Sequence, residues 1–232
     1  MQEYLTSDEL RNILGFLNES LPDPPTQHNG PFLLSQAAHS TLGSYQFQQN
    51  QLQGLANNFM RHLGLPPPSP VLLRDGETSP GLNIAIEHER PVILITKNSR
   101  YRLRHHAAVL AHECIHSYLG HHRVKDSDTH NNEILTDVAA AFLGLGHFLV
   151  DAYRPVEWST VSNSIRHDHS ITLGYVASES LRKAIIITSK IRNWNLLETR
   201  SSFRRIDDKT IFYLFTNPLV ARLTNRSNRG TG

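Results

Sequence analysis

The chain has 232 residues, 39% hydrophobic and 19% charged, with 23 Lys plus Arg against 21 Asp plus Glu. This composition excludes a largely disordered chain or a collagen-like array, and a net charge of +2 gives no electrostatic footprint for nucleic acid. The single cysteine, Cys114, excludes an internal disulfide; the start MQEYLTSDELRN is no secretory signal, and no apolar run reaches the ~20 residues of a membrane span. A cytoplasmic protein with neither membrane nor nucleic-acid partner is the expectation.

Thr6-Ser7-Asp8-Glu9 has capping-box form ahead of Leu10, Ile13, Leu14 and Leu17, which predicts a helix over 7–19. The proline-rich stretch 21–31 breaks it. A second helix is predicted over 45–63, with Leu52, Leu55, Phe59 and Leu63 on one side and Pro66 to Pro70 as its stop. Three short strands follow at 71–74, 82–87 and 91–96, the last two joined by the polar turn His88-Glu89-Arg90. A long helix over 101–119 ends at Gly120, and another over 132–152 ends before Pro155. Further helices are predicted at 176–192 and 208–223.

These elements describe an α+β fold: a small mixed or antiparallel sheet packed on two central helices, with additional helices at both ends. One domain over 1–225 is expected, with its core at 71–153, helical parts at 1–65 and 156–225, and a disordered tail at 226–232.

The chemistry concentrates in His112-Glu113-Cys114-Ile115-His116, an HExxH sequence inside the third predicted helix. On a helix, positions i and i+4 are separated by ~400° of turn and ~6 Å of rise, so both imidazoles leave one face. That spacing lets both rings reach one Zn²⁺, with Glu113 one step around, placed to take a proton from an activated water. Val109, Leu110, Ile115 and Leu119 supply an apolar face for the helix that this geometry demands. Cys114 is expected to turn away from the metal, into the core.

A catalytic zinc takes three protein ligands, and the next helix offers Glu133 within Asn132-Glu133-Ile134-Leu135-Thr136-Asp137. HExxH followed by NExxTD on a second helix resembles the gluzincin metallopeptidases, whose thermolysin-like members carry a similar NExxSD. The short interval between the motifs resembles compact intracellular peptidases such as the ImmA/IrrE group. The resemblance covers roughly residues 82–152. It implies that Glu133 is the third zinc ligand, that Asp137 hydrogen-bonds His112, and that a peptide or protein is the substrate. It also implies that an edge strand, 82–87 or 91–96, accepts the substrate backbone.

Other ligands stay open. His122 falls in the third-His register of metzincins, although no methionine lies downstream for their Met-turn, and Asp137 could ligate as in aspzincins. A donor for the tetrahedral oxyanion is sought among His167, His169 and Tyr175, with Tyr175 and His169 carried forward as catalytic candidates beside Glu113. His105 and His106 are expected at the surface or at a helix start, and His147, Trp158 and Trp194 in packing. The leading expectation is a zinc metallopeptidase. A non-hydrolytic regulatory protein keeping the metal fold and a SprT-like DNA-associated protease are the alternatives.

Overall fold

The computed structural model describes residues 2–195 apart from 23–29, 68–69, 76–81, 88–89, 98, 154, 163–164 and 172. For 82–91 and much of 165–171 it describes the backbone alone. The predicted helix at 208–223 and tail at 226–232 lie outside the described residues.

The fold is mixed α+β and mostly helical. Helix α1 (Ser7–Ser20) starts where the capping box places it: Thr6 accepts from the Glu9 amide and the Glu9 carboxylate accepts from the Thr6 amide. A short helix α2 (Gln36–Thr41), which no periodicity announces, precedes α3 (Gln49–His62). Leu52, Leu55, Phe59 and Leu63 are buried, as their spacing predicts. The stop comes before the prolines: Gly64 adopts φ 71°, and the Leu65 amide reaches back to the Met60 carbonyl.

Strands β1 (Val71–Asp75), β2 (Leu82–Glu87) and β3 (Arg90–Lys97) form a three-stranded sheet in the order β1-β3-β2. β1 runs parallel to β3 with Val71 opposite Ile93, and β2 runs antiparallel with Glu87 opposite Arg90. The hairpin connection is thus two residues long, with Arg90 already in the strand.

Helix α4 (Leu103–His121) packs on β3, α3, α5 (Thr129–Phe142) and α6 (Gly146–Ala152). Buried on most sides, it is the core helix of the domain. Gly120 does not end it; the chain turns at Arg123 (φ 57°), whose neighbour Val124 bonds back to the Leu119 carbonyl. The predicted helix over 132–152 is in fact two helices, meeting at 115°. Gly144 turns the chain at φ 88°, and a Cβ on Gly146 would meet the Ala141 Cα at 2.6 Å. The two glycines therefore permit the sharp corner.

Strands are not confined to the first half. In place of a helical start to the C-terminal part, β4 (Val156–Ser162) and β5 (Ile165–Ile171) form an antiparallel hairpin. Helix α7 (Ser178–Ile191) then packs on α1, α5 and α6. Residues ahead of α1 close the fold by pairing Glu3 with Val176 in a parallel bridge. No single helix among the described residues is long and apolar enough to cross a membrane.

Candidate metal centre

HExxH lies mid-way along α4, and its i, i+4 geometry brings the two imidazoles side by side, with centroids 4.6 Å apart. His112, Glu113 and His116 place ligand atoms within 4.8 Å of one another, a His–Glu–His group able to hold a metal ion. A second carboxylate approaches from α5. Glu133 Oε2 lies 3.0 Å from His112 Nε2 and 3.2 Å from His116 Nε2. Two carboxylates therefore border the histidine pair, and the closer convergence belongs to Glu133.

The α5 helix reaches this position because Asp128 caps it, accepting from the Asn131 amide at 2.8 Å. The helix begins three residues earlier than its apolar pattern indicates, so Glu133 falls at its second turn, facing α4. One turn further, Asp137 is fully buried. Its Oδ1 accepts from His112 Nδ1 at 2.8 Å and from the Tyr153 hydroxyl at 2.7 Å. Its Oδ2 accepts from the backbone amides of Tyr175 (2.9 Å) and Val176 (3.0 Å). Four donors saturate the carboxylate, which makes its burial tolerable and leaves it no lone pair for a metal.

Thr136 is the member that motif reading passes over. Its hydroxyl, fully buried, lies 3.2 Å from His116 Nδ1 and 2.8 Å from the Asn132 carbonyl. Each histidine of the pair thus has its Nδ1 engaged by an α5 side chain.

The electrostatics follow from this enclosure. Burial pushes the His112 imidazole down, but hydrogen bonds to Asp137 and Glu133 outweigh it and hold the ring up at about 10. The carboxylates thus favour positive charge at this point. Burial lowers His116, while the hydrogen bond from His112 holds Glu133 below the usual carboxylate range. Burial raises Glu113 to about 7, the nearby His112 pulling it down and Glu133 pushing it up. A carboxyl poised there exchanges a proton near neutral pH.

Tyr175 follows Gly174, whose φ of 77° and missing Cβ let the loop lie against the Tyr153 ring; a Cβ there would fall 1.8 Å from that ring. The Tyr175 ring lies nearly parallel to His112, with centroids 6.3 Å apart, and is 38% exposed. Burial and the three site carboxylates raise its hydroxyl, which stays protonated.

Other predicted residues fall elsewhere. His169 sits on β5 opposite Trp158, with its side chain, like that of His167, outside the described residues. His122 caps the end of α4, its ring 4.5 Å from Tyr118, and is not in the ligand group. His105 and His106 start α4 but are buried rather than at the surface, because the Tyr101 ring and, for His106, the Phe47 ring cover them. Cys114 is buried, as expected, and burial raises its thiol. Trp194 is buried, whereas Trp158 is half-buried under Arg100. His130, which the sequence did not single out, pairs with Glu3 at 2.7 Å and packs edge-on to Tyr175.

No family model, curated protein or solved structure matches this chain.

Proposed function

We propose that the protein is a zinc-dependent peptidase of gluzincin type, with His112, His116 and Glu133 holding the metal and Glu113 acting as general base. The observation that carries this reading is a convergence of ligand atoms from α4 and α5. Asp137 only accepts, so His112 keeps a proton on Nδ1, and the Nε2 position facing Glu133 Oε2, which carries a proton in the metal-free ring, is the one a metal would take in that proton's place. His116 Nε2 is aimed at the same oxygen. Two imidazole nitrogens within 3.0–3.2 Å of one carboxylate oxygen favour a cation between them, a proton or a metal ion, and two imidazoles with one carboxylate form a donor set suited to zinc.

When bound, Zn²⁺ supplies Lewis acidity that activates water toward a carbonyl. The chain supplies the rest. Glu113, half-buried and raised to about 7, accepts the proton that water loses on attacking the amide carbon. It then hands that proton to the leaving nitrogen as the C–N bond breaks, so the group returns to its starting state. Tyr175, protonated and partly exposed beside His112, is the described side chain placed to donate toward the oxyanion. A His third ligand, as the SprT-like alternative requires, draws no support, because His122 packs on Tyr118.

The test is elemental analysis of purified protein beside two variants, with cleavage of a proteome-derived peptide library read by mass spectrometry. About one zinc per chain is expected, largely lost in Glu133→Ala. Glu113→Gln keeps the metal and loses cleavage. Full zinc retention in Glu133→Ala overturns the ligand set; undiminished cleavage by Glu113→Gln overturns the base.

A further inference from the structure

We infer that Thr136 is a positioning residue that fixes His116 in the tautomer able to bind metal, an inference that rests on the ligand set proposed above. A threonine hydroxyl has one proton to donate and lone pairs with which to accept. The Thr136 proton is committed to the Asn132 carbonyl one turn earlier, at 2.8 Å. That back-bond also fixes the side-chain rotamer of this β-branched residue. Toward His116 Nδ1, 3.2 Å away, the same oxygen can then only accept. A neutral His116 that donates to this oxygen carries its proton on Nδ1 and leaves the Nε2 lone pair free for a metal, against the pull of Glu133 Oε2, which lies 3.2 Å from Nε2.

The same logic holds His112 through Asp137, but by a charged acceptor. The two ligands are therefore oriented differently: one by a saturated, buried carboxylate, the other by a neutral hydroxyl. Both orienting groups come from consecutive residues of α5. Thr136 is fully buried, so no water replaces its oxygen. In a neutral ring the hydroxyl favours the proton on Nδ1. Without it the tautomer with the proton on Nε2, the wrong one for binding, becomes accessible.

The experiment uses full-length protein with imidazole nitrogens labelled by ¹⁵N, and zinc affinity measured by competition with a chromophoric chelator. Wild type is expected to show His116 protonated at Nδ1, both zinc-loaded and metal-free. Thr136→Val, equal in shape but without the hydroxyl, is expected to bind zinc about 10-fold more weakly and to show mixed tautomers in the metal-free state. Thr136→Ser is expected to restore both to near wild type. Wild-type affinity and an unmixed Nδ1–H ring in Thr136→Val overturn the inference. So does a wild-type His116 protonated at Nε2, which decides the matter even where the valine variant fails to fold. If wild type binds no zinc, the peptidase reading fails, and the metal-free tautomer judges Thr136 by itself.

Discussion

His112 and Asp137 meet at 2.8 Å across the α4–α5 interface, and the carboxylate that receives the imidazole is wholly enclosed. Removing it strands three other donors: the Tyr153 hydroxyl and the amides of Tyr175 and Val176. Asp137→Ala is expected to cost about 3–5 kcal/mol of stability, as when one partner of a buried charged pair is lost. With the proposed ligand set it is also expected to weaken zinc about 10–100-fold. Urea unfolding and chelator competition measure the two effects, and an unchanged urea midpoint would show the carboxylate to be dispensable.

Gly174→Ala tests the loop that delivers two of those donors. The residue sits at φ 77°, and a Cβ would overlap the Tyr153 ring at 1.8 Å. The left-handed backbone alone costs about 1–3 kcal/mol for a non-glycine residue, and the overlap adds to it. The variant is expected to unfold at lower urea and to bind zinc more weakly, because both Tyr153 and Tyr175 must move. An unaltered midpoint would mean that the loop relaxes at no cost.

A pH effect is expected at the start of α4. His105 Nδ1 accepts the Arg102 amide at 2.9 Å, an arrangement that requires the neutral ring, and burial lowers its pKa to about 4. The unfolded chain, at about 6.5, binds a proton that the folded chain refuses between these values. Stability contributed by this residue is therefore present above about pH 6.5 and is lost as pH falls toward 4. Between pH 7.5 and 5 the loss is about 2 kcal/mol. His105→Gln should show a shallower decline of the urea midpoint over that window, and identical slopes in both proteins would refute the assignment.

The segment ahead of α1 is predicted to act on the candidate metal centre from outside it. The Glu3 amide donates to the Tyr175 carbonyl and the Ala177 amide donates to the Glu3 carbonyl, while the Gln2 side chain reaches the Tyr153 and Leu173 carbonyls. Deleting residues 1–5 removes these bonds, each worth about 1 kcal/mol. Amide hydrogen exchange at 173–177 is expected to accelerate by roughly 10-fold or more. Unchanged exchange would assign the rigidity of this loop to Asp137 alone.

What the sequence disclosed is local, and what it concealed depends on distant contacts. HExxH is readable because helical periodicity by itself puts His112 and His116 together. Asp137 and Glu133 are readable as a motif one turn apart. The corner at Gly144 was hidden because apolar residues run unbroken through Leu143 and Leu145, so periodicity reads straight across it. The β4–β5 hairpin was missed although Trp158, Thr160, Ile165 and Ile171 are strand formers, with Ser162 and Ile165 flanking a two-residue connection. Thr136 carries no signal of its own within a helix; only its distance to His116 marks it out. The burial of His105 and His106 depends on Tyr101 and Phe47, which no local pattern places over them.

The four donors around Asp137 also set a timetable for the making of the protein. One comes from residue 112, another from 153, and the last two from 175 and 176. A ribosome that has released both motifs has still to deliver most of what steadies them. Glu3, made long before Val176, must wait for it before finding its pairing partner. If the site takes zinc as proposed, tight loading therefore waits until residues 175–176 are made, and a nascent chain stalled near residue 150 should hold zinc no better than a free HExxH peptide.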